Sequence, residues 1–172
     1  DTVLVSSGTY SGSGNYDINF YGKALHLLSE SGPDNTTIDL NHDNRGFFFD
    51  SGEDTTTIIE GFNVYEGYVC RDDNFFEDDY HNGYGGAMYI NNAFPKFINM
   101  KFEYNDAKYR GSAVYIVDGG NAIFEDCYFK DNEYNHDNPN EGGAVAIYNA
   151  DATFKDCTFH SNGNDSYYRG GA

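Results

Sequence analysis

The sequence predicts an all-β chain coiled as a parallel β-solenoid, and three observations carry that prediction. A short motif recurs at near-even spacing, a second motif follows each copy at an almost fixed distance, and both alternate apolar and polar residues with period two. The first motif reads Gly85-Gly86-Ala87-Met88-Tyr89-Ile90, then Gly111-Ser112-Ala113-Val114-Tyr115-Ile116, then Gly142-Gly143-Ala144-Val145-Ala146-Ile147. Gly170-Gly171-Ala172 opens a fourth copy, and the starts lie 26, 31 and 28 residues apart. The second motif begins 12 or 13 residues after each start: Phe97-Ile98-Asn99-Met100-Lys101-Phe102, Phe124-Glu125-Asp126-Cys127-Tyr128-Phe129 and Phe154-Lys155-Asp156-Cys157-Thr158-Phe159. Three residues after each final Phe stands an asparagine, Asn105, Asn132 or Asn162.

A unit of this size holds two or three short strands and cannot bury its apolar face alone, whereas stacked units bury a continuous core. Each strand then pairs with its equivalent about 4.8 Å away, so equal positions form columns. Met88, Val114 and Val145 share one face with Ile90, Ile116 and Ile147, while Tyr89, Tyr115 and Ala146 point the other way and form an exposed stack. Helical repeats of similar length are opposed by the Gly, Asn, Thr and aromatic content. Ile59-Glu60-Gly61-Phe62-Asn63-Val64 is a degenerate copy. Val3-Leu4-Val5, Ala24 to Leu28, Thr37 to Leu40 and Gly46 to Phe49 fit as earlier turns. The expectation is one domain over residues 1–172, with degenerate turns in 1–58 and clear repeats in 59–172. Roughly five to six turns give a body roughly 25–30 Å long.

Composition narrows the partners. The 39% apolar content is low, yet 16 Tyr and 14 Phe argue against disorder and supply bulk for a narrow core. A net charge of −18 repels phosphate backbones, which disfavours nucleic acid and leaves cations, cationic polymers and neutral glycans. No stretch approaches the ~20 apolar residues of a membrane span, and no secretory leader stands at the start. Three cysteines are too few for a disulfide scaffold. Richness in Asn, Asp, Gly, Ser, Thr and Tyr with little Lys suits an extracellular surface.

The stretches "DTVLVSSGTYSG" and "TTIIEGFNVYEG" and the Gly-Gly-Ala…Phe-x-Asp-Cys-x-Phe-x-x-Asn units resemble right-handed parallel β-helix proteins of the pectin-lyase-like superfamily. More narrowly they are similar to the polymorphic-outer-membrane-protein type repeat of bacterial and archaeal surface proteins, over most of the chain and most specifically from Ile59 to Ala172. The resemblance implies a three-faced coil within a large secreted or surface-attached protein that serves adhesion or surface architecture. Met100 and Phe62 stand in the Cys slot of two turns, a departure that touches cysteine chemistry and not the fold.

Cys127 and Cys157 share one slot in consecutive turns, with Met100 before them. The slot reads first as an apolar column Phe62–Met100–Cys127–Cys157, because free Cys packs as a small hydrophobe. A disulfide or a metal-binding thiol pair is the other reading, and direct stacking suits disulfide geometry poorly. Cys70 belongs to a separate acidic insertion. Asn99, Asp126 and Asp156 stack at a corner between strands, where side chains can bond to the bend or to one another. Asn105, Asn132 and Asn162 read as a second polar ladder of turn residues.

Acidic insertions gather Asp72, Asp73, Asp78 and Asp79 in one place and Asp131 and Asp137 in another, and such oxygen-rich loops make calcium a candidate cofactor. Neither matches an EF-hand loop, and a solvated acidic loop is the plainer reading. From each Asn marker to the next Gly the gap is 6, 10 or 8 residues, so length variation gathers at one corner, a frequent binding edge. Tyr109, Tyr134, Tyr167 and Tyr168 lie there and, with Tyr89 and Tyr115, form a candidate ligand face for glycans or for self-association. Asn35 and Asn164 head N-glycosylation sequons.

Catalysis is not expected. Glycoside hydrolysis needs carboxylates converging from neighbouring turns, whereas the outward positions here offer Tyr89, Tyr115, Ala146, Lys101, Tyr128 and Thr158. A polysaccharide lyase or hydrolase stays as the alternative. Neither end of the sequence shows a cap, which reads as a stretch of a longer coil or as ends that meet other chains. The expected role is structural or adhesive, at a cell surface, with filaments formed end to end.

Overall fold

The computed structural model describes residues 1–69, 83–132 and 143–163. Among these the chain forms β-strands and one 3-10 turn, Ser13–Asn15. Numbered in chain order, the first sheet holds β1 (Thr2–Val5), β3 (His26–Ser29), β6 (Ile58–Glu60), β10 (Lys96–Ile98), β14 (Asn121–Glu125) and β17 (Asp151–Lys155), adjacent in that order. The second holds β2 (Gly8–Ser11), β4 (Thr36–Asp39), β7 (Asn63–Tyr65), β11 (Lys101–Glu103), β15 (Tyr128–Lys130) and β18 (Thr158–His160). The third holds β5 (Phe47–Phe49), β9 (Met88–Asn91), β13 (Val114–Val117) and β16 (Val145–Tyr148). β8 (Tyr68–Val69) and β12 (Asp106–Ala107) form a short fourth pair. All pairings are parallel, and from β3 onward successive long strands visit the first, second and third sheets in rotation.

Register follows the sequence motifs. Ile59, Phe97, Phe124 and Phe154 sit side by side in the first sheet, and Val64, Phe102, Phe129 and Phe159 in the second. The rings stack face to face, Phe97–Phe124 at 4.9 Å, Phe124–Phe154 at 5.0 Å, Phe102–Phe129 at 4.8 Å and Phe129–Phe159 at 4.6 Å between centroids. Met88, Ile90, Val114 and Ile116 of the third sheet close the same core and are fully buried. Each fully buried Phe contributes about 1.5–3 kcal/mol, which offsets the ordering of strands only three to five residues long. On β16 the pattern weakens: Ile147 faces the core side of an edge strand and remains 45% exposed.

The recurring Gly-[Gly/Ser]-Ala has a packing origin. Gly85 and Gly111 adopt φ of +63° and +60°, and a Cβ there would lie 2.0 Å from Met88 O and 2.1 Å from Val114 O. At the next position a Cβ on Gly86 would meet Asp106 O at 2.2 Å, while its counterpart Ser112 has room to donate from Oγ to Asn132 O and Gly143 O at 3.1 and 3.3 Å. Ala87, Ala113 and Ala144 are fully buried. Two successive amides converge on each such carbonyl: Ala87 and Met88 on Ala113 O, and Ala113 and Val114 on Ala144 O. Larger side chains would separate the coils.

Candidate functional site

Two-residue connections join the first sheet to the second at Gly61-Phe62, Asn99-Met100, Asp126-Cys127 and Asp156-Cys157. The leading residue of each takes a left-handed conformation, with φ of 80°, 48°, 53° and 53°. Its amide donates to the neighbouring coil: Gly61 N to Ile98 O at 3.1 Å, Asn99 N to Glu125 O at 2.9 Å and Asp126 N to Lys155 O at 3.0 Å. L-residues resist this region by about 1–2 kcal/mol, least so for Asn and Asp. The side chains of Asn99, Asp126 and Asp156 are exposed and form no hydrogen bond with the described residues. Expected to bond to the bend or to each other, they instead supply a backbone conformation.

The second ladder works in the opposite way. Asn105, Asn132 and Asn162 are 1%, 0% and 9% exposed. Asn105 Nδ2 donates to Val64 O at 3.0 Å and to Asn132 Oδ1 at 3.0 Å, and its Oδ1 accepts from Gly67 N at 2.8 Å. Asn132 Nδ2 donates to Phe102 O at 2.8 Å and to Asn162 Oδ1 at 2.9 Å, and Asn162 Nδ2 donates to Phe129 O at 2.9 Å. Asn132 Oδ1 and Asn162 Oδ1 also accept the backbone amide of the asparagine before them, Asn105 N at 3.1 Å and Asn132 N at 3.2 Å. The buried side chains of these three asparagines are thereby paired, as burial demands.

The sulfur column lies one residue beyond the corner. Register places Phe62, Met100, Cys127 and Cys157 in consecutive coils. Met100 Sδ accepts from Phe62 N at 3.4 Å. Both cysteines are free thiols, Cys127 buried and Cys157 half-buried. Burial pushes the Cys127 thiol up to about 12, with Cys157 alongside adding to the shift. With no metal ion bound it is protonated at neutral pH.

The candidate ligand face departs from expectation. Tyr89 and Tyr115 do stand side by side, centroids 5.8 Å apart, but they are only 4% and 6% exposed. Arg45 covers them in part: its guanidinium lies 5.4 Å from the Phe48 ring and 5.3 Å from the Tyr89 ring. Nε donates to Gly85 O at 3.0 Å, Nη2 to Tyr84 O at 2.9 Å, and Nη1 to Asp17 Oδ1 at 3.3 Å. The Tyr84 ring lies 4.8 Å from Tyr115 and 5.3 Å from Tyr109. An aromatic second layer thus coats the outside of the third sheet. Burial raises both phenols, Tyr89 to about 12.

Asp131, from the candidate calcium set, sits at another left-handed corner (φ 51°) and faces Lys130 Nζ at 3.2 Å. Burial alone would raise its pKa, but the hydrogen bonds from Lys130 and Tyr104 outweigh that and hold the carboxyl below its usual range. Among the described residues no group of three or more His, Cys, Asp or Glu is placed to hold a metal ion. Asp72, Asp73, Asp78, Asp79, Asp137, Tyr134, Tyr167, Tyr168, Asn164 and Cys70 lie outside the described residues. Asn35 is exposed, with Nδ2 donating to Ser31 O at 3.1 Å.

On the outer face of the first sheet, Lys96 pairs with Glu125 across coils at 2.9 Å, and His26 Nε2 lies 2.9 Å from Glu60 Oε2. Among the described residues two buried charged side chains escaped the sequence reading. Arg45 is one, and its only trace was a lone cation beside Gly46-Phe47-Phe48-Phe49. Glu53 is the other, 0% exposed, its carboxylate accepting Gly22 N at 2.9 Å and Ser51 N at 3.1 Å. In "DSGED" it looks like any loop acid. No helix of the described residues is long and apolar enough to cross a membrane. No family model matches the chain, and no curated protein or solved structure matches it.

Proposed function

We propose that the chain is a stretch of right-handed parallel β-solenoid of the polymorphic-outer-membrane-protein repeat type, with a structural or adhesive, non-catalytic role at a cell surface. The observation that carries this reading is the rotation of parallel strands through three sheets, with like apolar residues stacked in columns. Right-handedness rests on the strong preference of parallel crossovers for that hand. At one end Val3 and Leu4 of β1 are 46% and 61% exposed, and at the other Phe154 and Phe159 are half-buried. Parallel edge strands can recruit further strands, and end-on pairing with more coils of the same type is part of the proposal. The Lys96–Glu125 ion pair and the His26–Glu60 contact on the first sheet's outer face favour a structural surface over a catalytic groove.

Electron microscopy and light scattering of the purified chain over a concentration series test this. Rods that lengthen with concentration, and that Leu4→Lys shortens, are expected. A monomer at all concentrations overturns end-on assembly, and calcium-dependent cleavage of an acidic polysaccharide overturns the non-catalytic reading.

A further inference from the structure

Cys127 and Cys157 make the same contacts one coil apart. Cys127 Sγ donates to Phe97 O at 3.7 Å and Glu125 O at 3.3 Å; Cys157 Sγ donates to Phe124 O at 3.5 Å and Lys155 O at 3.4 Å. Phe97 and Phe124 are register partners, as are Glu125 and Lys155. Equivalent contacts mean equivalent rotamers, so the two sulfurs are separated by the coil repeat, about 4.8 Å for parallel strands. That is far beyond the ~2.05 Å of a disulfide, and parallel Cβ vectors keep it so. Two thiolates on opposite sides of one ion span about 4.6 Å at the ~2.3 Å of tetrahedral zinc–thiolate bonds and somewhat less for a two-coordinate ion, so the sulfurs need close by only a few tenths of an ångström.

We propose that Cys127 and Cys157 form a two-coordinate, linear site for a soft closed-shell ion of the Cu(I) class. Soft thiolates select such ions over calcium, magnesium or manganese. The other groups touching the sulfurs are uncharged backbone groups, the carbonyls of Phe97, Glu125, Phe124 and Lys155 and the Met100 amide on Cys127. Met100 contributes no third ligand, because its Sδ is turned to Phe62 N on the preceding coil. The ion reaches the site from the side of Cys157, which is half-buried, rather than through Cys127, which is 2% exposed. Each thiol loses its proton as its sulfur–metal bond forms, so two protons leave per ion and no electron is transferred. The inference does not depend on the proposed role of the coil, and a failure of either leaves the other standing.

The test uses the full chain with Cys70→Ser, reduced and anaerobic, titrated with Cu(I) supplied as its bicinchoninate complex. One Cu(I) per chain should be withdrawn from the chelator, with two sulfur neighbours by X-ray absorption and no change in chain mass by size exclusion. Cys157→Ser, at the more open position, should weaken uptake at least about 100-fold while its thermal melt stays that of the parent. Met100→Leu should leave uptake unchanged. Uptake that survives in Cys157→Ser, a copper ion shared between two chains, or ready closure of a Cys127–Cys157 disulfide by diamide would each overturn the site.

Discussion

Two polar ladders run along this coil, and they hold opposite kinds of information. Asn105, Asn132 and Asn162 are buried and joined to each other and to neighbouring carbonyls through their side chains. Asn99, Asp126 and Asp156 are exposed, and only their backbone is engaged. In the first ladder the amide group is indispensable because its donors and acceptors have no water to turn to. In the second the side chain matters only for tolerating φ near +50°, which is why Gly61 fills the same column. A repeated polar residue can therefore mark a side-chain bond or a backbone bend, and burial tells the two apart.

Substitutions can break or sharpen this contrast. Asn132→Ala removes four buried hydrogen bonds, those to Phe102 O and Asn162 Oδ1 and those from Asn105 N and Nδ2, and takes the side-chain partner from Phe102 O and Asn105 N. At about 1–3 kcal/mol per unsatisfied group, partly relieved by relaxation, a loss of at least about 3 kcal/mol in chemical denaturation is expected. Gly111→Ala combines a left-handed φ with a Cβ placed 2.1 Å from Val114 O, so it should cost about 2 kcal/mol or more by the same measurement. Asp126→Ala should cost about 1 kcal/mol through conformation alone. Asp126→Gly should change stability by no more than about 0.5 kcal/mol, since Gly loses entropy but gains an easy φ.

The outer aromatic layer gives a pH-dependent counterpart. Tyr89 is raised from its ordinary value of 10 to about 12 in the folded chain. Its stabilising contribution is complete below pH 10 and is lost as pH rises through about 12, because the unfolded phenol ionises first. Unfolding followed between pH 9 and 12 should show a falling stability whose slope is reduced by Tyr89→Phe. An exposed Tyr89 would instead ionise near pH 10 in both states and leave no such difference.

Much of this architecture was legible in the residues. The Phe-x-x-x-x-Phe spacing placed two strands and their corner, and matched copies fixed the register of Phe97, Phe124 and Phe154. Gly85 and Gly111 announced a place where coils approach too closely for a Cβ. What alternation could not reveal was a second layer outside the third sheet. Tyr89 and Tyr115 do point away from the core, but Arg45, more than 40 residues before Tyr89 in sequence, and Tyr84 fold over that outer face. Period-two patterning assigns a face and is silent about what later covers it. The two ladders looked alike for a related reason: sequence spacing puts residues in a column without saying whether the column points inward.

The central claim is that the asparagine column ties coil to coil through side chains while the corner column acts through backbone conformation. A pair of double-mutant cycles, Asn105→Ala with Asn132→Ala and Asp126→Gly with Asp156→Gly, measures this directly by denaturant unfolding. The account predicts a coupling above about 1 kcal/mol for the first pair and below about 0.5 kcal/mol for the second. Equal couplings, or a larger one at the corner, would contradict it.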